Sequence, residues 1–120
     1  MACGEILNNV FKAVVHRARP IPPGGEQLAQ YWGWSYPSGH AFMSVVFYFS
    51  IAYLLARRTS SKMAGAAVFA IAFFIEGAVA LSRVYLQVHY LSDVLAGFLS
   101  GLIWFIICAA ILEHFRKSAA

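Results

Sequence analysis

Three long apolar runs, near residues 38–56, 63–82 and 94–112, constrain this chain more than any other feature. Each is close to the about 20 residues that a helix needs to cross a hydrocarbon layer. In lipid a segment must satisfy its own backbone hydrogen bonds, which an isolated strand cannot do, so each run predicts a helix. The first run carries no formal charge beyond His40, the second is interrupted by Glu76, and the third has no charge. Only 12% of the 120 residues are charged and 61% are hydrophobic, whereas soluble domains carry about 25% charge. The expectation is an all-α, polytopic transmembrane helix bundle over residues 1–120, with about three spanning helices and a short N-terminal helix.

The segment Ile6–Val15 is apolar but too short to span, and reads as an interfacial helix or as the tail of a longer one. Its early Glu5 and basic end have the wrong polarity for a signal peptide, so the chain reads as a fragment or a shortened member of a larger group. Pro20, Pro22, Pro23, Gly24 and Gly25 then break helix and open a loop that runs to Tyr36. Tyr31, Trp32, Trp34 and Tyr36 suit an anchor in the headgroup layer, or the lining of a lipid entrance.

The formal charge of +4 does not form the clustered basic face that nucleic acid requires, and no nucleic-acid partner is expected. Arg57, Arg58 and Lys62 lie between the first two runs, and Arg116 and Lys117 follow the third, so these ends are expected in the cytoplasm. His40, Arg83 and His89 then fall at the extracytoplasmic face of the cell membrane. Lys12, Arg17 and Arg19 fall there too, against the positive-inside tendency, which suggests another purpose for them.

Cys3 and Cys108 make no disulfide framework, and Cys108 is expected to pack as a small apolar side chain. Four histidines in no close ligand spacing give no metal site. Gly97 and Gly101 form a GxxxG pair suited to close helix packing, either within the chain or in self-association. Glu76 lies seven residues before Arg83, about two turns away on the same face, and reads as structural.

Polar residues in such a chain mark function by default. Three groups stand at the outer face. The first is Lys12 followed after six residues by Arg19-Pro20, the second is Pro37-Ser38-Gly39-His40, and the third is Ser82-Arg83, five residues, His89, three residues, Asp93. Arginine offers a planar fork of donors that fits a phosphate. Ser38 is a good N-cap, Gly39 lets a ligand approach the backbone, and N–H groups at a helix start bind anions. His89 and Asp93, at i and i+4, would share a helix face, with the carboxylate leaning back to orient the imidazole. Each group also has a bland reading, as a helix cap, a snorkelling flank or a headgroup anchor.

Together and in this order the three groups resemble the signature of the type 2 phosphatidic acid phosphatase (PAP2) superfamily, in its membrane lipid phosphatase branch. The resemblance implies the C-terminal core of that fold, since membrane members generally have six spans with the first motif after the third. It implies that Lys12, Arg19 and Arg83 bind the phosphoryl oxygens and that Ser38 and Gly39 add hydrogen bonds. It further implies that His89 attacks phosphorus to form a phosphohistidine, that Asp93 supports His89, and that His40 protonates the leaving group and then activates water. No metal or other cofactor is implied. Similar bacterial members often read Gly-Val-His-Tyr-Pro-Ser-Asp, where this chain has Gln87 in the Gly place and Leu91 in the Pro place.

The resulting expectation is a metal-independent membrane phosphatase acting at the outer face, with a partner drawn from membrane lipids. Its substrate would be phosphatidic acid, phosphatidylglycerophosphate or a polyprenyl pyrophosphate. A non-catalytic lipid-headgroup binder or scaffold is the rival, although a pure binder would need only the cations. A vanadate-dependent haloperoxidase shares the anion cradle, but such relatives are soluble and much larger.

Overall fold

The computed structural model describes residues 2–21, 24–25 and 33–119. Tyr31 and Trp32 of the expected aromatic anchor lie outside the described residues. Four helices follow one another: α1 (Ala2–Val15), α2 (Gly39–Ala56), α3 (Lys62–Tyr85) and α4 (Leu91–Ser118). Among the described residues there is no strand. α2, α3 and α4 are the three helices long and apolar enough to cross a membrane, as the composition predicts.

Local chemistry sets the helix ends. Ser38 caps α2 by accepting from the Ala41 N–H at 3.4 Å, and Ser61 caps α3 by accepting from Ala64 at 3.2 Å. Two helices outrun their apolar cores. α3 continues to Tyr85, with Arg83 in its last turn, where a cation suits the negative helix end. α4 begins at Leu91, before the expected start at 94, with Asp93 in its first turn, where an anion suits the positive end. Its 28 residues, at about 1.5 Å each, measure about 42 Å, more than the about 30 Å of a hydrocarbon core.

α2 is the central helix and packs against α3, α4 and α1. Val45, Phe49 and Ala52 of α2 form the core with Ala72 of α3, flanked by Val68, Phe69, Phe98 and Phe105. On the other side α4 comes very close. A Cβ at Gly97 would stand 2.4 Å from the Ser38 carbonyl oxygen, and one at Gly101 would stand 2.7 Å from that of Phe42. The GxxxG pair therefore brings two helices of the same chain together.

Large apolar side chains point outward, including Phe74 and Leu81 of α3 and Leu99 and Ile103 of α4. Cys108 faces outward as well. This corrects the packed position expected for it, because inside lipid a small apolar side chain gains little from turning inward.

At the basic end, Arg57 pairs with Glu113 at 2.7 Å and Arg116 pairs with the same carboxylate at 2.9 Å. Tyr53 also hydrogen-bonds to Glu113. This network places the ends of α2 and α4 side by side, at the end of α2 away from His40. Glu76 is buried and hydrogen-bonded to Ser44 of α2, so its side chain joins α3 to α2.

Candidate active site

The site is assembled where α1 ends and where α2 and α4 begin. Lys12 lies in the last turn of α1, and its ammonium donates to the Trp34 carbonyl at 2.8 Å. Beyond Val15 the helix ends at His16, which takes a left-handed φ of 48°, and the chain runs without regular structure to Pro20. Ser35 fastens that segment, its N–H donating to the Arg17 carbonyl at 2.8 Å. Arg19 reaches across, with Nε donating to the Gly33 carbonyl at 3.1 Å and one terminal nitrogen donating to the Val88 carbonyl at 2.8 Å. Two cations thus hold Gly33 and Trp34 beside the helix ends.

A cavity of about 830 Å³ opens here, and Lys12, Arg19, Gly39, His40 and His89 all line it. Asn8, Trp34 and Met43 line it as well. Ser38 is fully buried as the cap beneath Gly39, and its N–H donates to the Asp93 carbonyl at 2.9 Å. That bond joins the start of α2 to the start of α4. Arg83 is not among the lining residues. It stands at the end of α3 with Nε bonded to the Ser82 hydroxyl at 3.1 Å, near enough for its charge to act on His40.

His89 and Asp93 are adjacent, but not through a shared helix face. α3 ends at Tyr85 and α4 begins only at Leu91, so His89 lies in the turn between them. Gln87 allows that turn by taking a left-handed φ of 55°. Asp93, in the first turn of α4, folds back over the helix start. Its Oδ2 accepts the Tyr90 N–H at 3.0 Å and faces His89 Nδ1 at 3.6 Å. The unsatisfied N–H groups of a helix start draw the carboxylate there.

The hydrogen-bond roles of His89 follow from its partners. Its Nε2 lies 3.3 Å from an Arg19 nitrogen. A guanidinium can only donate, so Nε2 accepts and the proton of the neutral ring sits on Nδ1, toward Asp93. Nε2 therefore presents a lone pair to the cavity. Burial, and then the Arg19 charge, push His89 down to about 4 from its ordinary 6.5, against an opposing pull from Asp93. The imidazole is thus neutral across the physiological range. Burial, and then Arg19, likewise lower the Lys12 ammonium.

Arg17 is the residue that the motif spacing missed. One of its terminal nitrogens donates to Asp93 Oδ1 at 2.8 Å and to the Ser92 hydroxyl at 2.6 Å, and its guanidinium lies 4.1 Å from the centre of the Tyr90 ring. The only signal in the sequence was a third cation on the side where the positive-inside tendency expects few.

Residues 1–117 match the PAP2 superfamily. The chain is 35% identical over 119 residues to phosphatidylglycerophosphatase B of Bacillus subtilis (strain 168), covering 94% of this chain and 55% of that protein. A crystal structure of a transmembrane PAP2 type phosphatidylglycerolphosphate phosphatase from Bacillus subtilis superposes with a TM-score of 0.84 at 34% identity. It too is covered over 94% of this chain and 55% of its own. The chain therefore spans about half the length of the relatives it matches.

Proposed function

We propose that this chain, which belongs to the PAP2 superfamily, is a membrane phosphatase that cleaves a lipid phosphate monoester through a phosphohistidine at the extracytoplasmic face. The observation that carries the proposal is the convergence of Lys12, Arg19, His40 and His89 on one cavity, with Asp93 buried behind His89. A headgroup binder would use the cations, but it has no need of a neutral imidazole with its lone pair turned to the anion.

Phosphoryl transfer is mainly positioning and charge stabilisation. Lys12 and Arg19 would exchange their carbonyl partners for phosphoryl oxygens, and Arg83 would add its charge from the end of α3. Ser38 and Gly39 would place the N–H groups of the α2 start toward the same anion. His89 Nε2 would then bond to phosphorus as the bond to the lipid oxygen breaks. The departing alkoxide would take a proton from His40. Asp93 would hold the Nδ1 proton and offset the charge of the phosphorylated ring. In the second half His40 would take a proton from water as the water oxygen attacks phosphorus, which returns His89 Nε2 to its neutral state. The three cations supply the positive charge that this route needs.

The basic residues at the opposite end support the outward assignment, by the positive-inside tendency. The names of the relatives make phosphatidylglycerophosphate the first substrate to test, with phosphatidic acid and a polyprenyl pyrophosphate beside it. In detergent or liposomes with a chelator present, the protein is expected to release inorganic phosphate from at least one of them. His89→Ala should abolish turnover while still holding orthovanadate. No release from any of the three by the unaltered chain would sink the reading and leave headgroup binding in its place.

A further inference from the structure

The three basic residues around the end of α1 do not share one task. Lys12 and Arg19 line the cavity and Arg17 does not. Arg17 turns to the far side of His89, where it meets a carboxylate with no exposure to solvent. We infer that Arg17 is a positioning residue of this active site, acting on His89 through Asp93 rather than on the phosphate.

The geometry of Asp93 carries the inference. Its two oxygens have different partners: Oδ1 receives Arg17 at 2.8 Å, while Oδ2 receives the Tyr90 N–H at 3.0 Å and faces His89 Nδ1 at 3.6 Å. Among the described residues, Oδ2 is the side-chain acceptor that faces His89 Nδ1. The position of Oδ2, and with it one of the restraints on the His89 ring, depends on how the carboxylate is gripped on its other side.

Arg17 is itself held at three points. Its nitrogen meets the Ser92 hydroxyl at 2.6 Å, its guanidinium stacks on Tyr90 at 4.1 Å, and its carbonyl receives the Ser35 N–H at 2.8 Å. Ser92, Asp93 and Tyr90 all belong to the first turn and cap of α4. One side chain thus clamps the segment 16–20 to the helix start that carries the support of the nucleophile.

A buried carboxylate that loses its charged partner is left uncompensated. With Arg17 in place the Asp93 carboxylate is a restrained acceptor beside His89 Nδ1 as Nε2 bonds to phosphorus. Without Arg17 the carboxylate would turn to other donors, and Nε2 would lose its aim. The inference rests on the phosphohistidine reading above, but it also has a readout that needs no turnover.

The test compares Arg17→Ala, Arg17→Lys, Arg19→Ala and Asp93→Asn in the whole chain. Arg17→Ala is expected to lower kcat by up to about 100-fold, the scale of a misplaced reacting group, with KM and the orthovanadate inhibition constant changed less than about threefold. Arg19→Ala should instead raise both constants. Arg17→Lys, which keeps the charge but not the fork, should recover part of kcat, and Arg17→Ala should add little to Asp93→Asn.

Independently, the ring ¹⁵N resonances of His89 should move in Arg17→Ala and not in Arg58→Ala at the other end of the bundle. If Arg17→Ala fails to fold, Arg17→Lys gives the same kcat, inhibition and ¹⁵N comparisons. An unchanged kcat with unmoved His89 resonances overturns the inference. So does an inhibition constant that weakens in Arg17→Ala as it does in Arg19→Ala, since Arg17 would then be a phosphate ligand. Loss of all turnover in the unaltered chain overturns the enzymatic reading alone, and the ¹⁵N comparison still decides the role of Arg17.

Discussion

At the scale of residues, His89 combines burial, a neutral ring and a cation 3.3 Å from its Nε2, and pH profiles should show the result. Its value is lowered from 6.5 to about 4, so the acid limb of kcat/KM for the free enzyme is expected well below the ordinary histidine range. Replacing Arg19 with Gln should move that limb upward, because a positive charge opposing protonation is gone. The same shift bears on stability. As pH falls, the unfolded chain takes up the His89 proton before the folded one does, so this contribution is complete above about 6.5 and is lost toward about 4. Thermal unfolding in detergent across that window measures it, and His89→Ala should flatten the slope.

Gln87 offers a second measurement at this scale. It holds a φ of 55°, a region that costs a side-chain-bearing residue about 1 kcal/mol or more relative to glycine. Gln87→Gly is therefore expected to stabilise the α3–α4 turn by roughly 1 kcal/mol, seen as a higher unfolding midpoint with activity retained. The departure from the Gly of similar sequences is thus a local strain that leaves the site in place.

At the scale of elements, the contact between α4 and α2 has the least tolerance. Gly97 leaves no room for a side chain against the Ser38 carbonyl, and the next bond along joins Ser38 to the Asp93 carbonyl. Gly97→Ala is expected to force the helices apart. It should cost on the order of 1–3 kcal/mol, as overpacking does, and lower activity as well, because the starts of α2 and α4 carry the two halves of the proposed site. Gly77→Ala on α3, where a Cβ meets nothing, is the matched control and should leave both unchanged.

The start of α4 gives the opposite prediction. Leu91 is the first residue after the N-cap Tyr90 and is exposed, a position where proline needs no N–H partner and has a suitable φ. Leu91→Pro is expected to fold normally and to gain up to about 1 kcal/mol from a less flexible unfolded chain, read from the unfolding midpoint.

At the scale of the whole molecule, the Arg57–Glu113 network and the cavity lie at opposite ends. Arg57 and Glu113 join the ends of α2 and α4, while the cavity lies where α2 and α4 begin. In sealed membrane vesicles of known sidedness, a cysteine introduced at Ser60 should react with an impermeant maleimide only from the cytoplasmic side, and one at Gly25 only from the other. Cys3 and Cys108 are replaced by serine in both. Reaction of both positions from one side would reject the three-span topology, and a reversed pattern would reject the outward site.

The amino-acid sequence alone determined the number and kind of spanning helices, because apolar length and the backbone's need for internal hydrogen bonds admit no other element. It also marked, by residue type and spacing, Lys12, Arg19, Gly39, His40 and His89, which line one cavity. The tertiary structure decided how those residues meet. The pairing of Arg17 with Asp93 joins positions 76 apart, and no local period encodes such a contact. The approach of His89 to Asp93 resembled a helical i, i+4 pair but came from a turn and a capping carboxylate, because α3 ends before His89. The GxxxG pair was ambiguous between partners until α2 filled it. In each case the physical reason is the same: spacing along a chain reports the face of one element, whereas these contacts depend on where a second element lies.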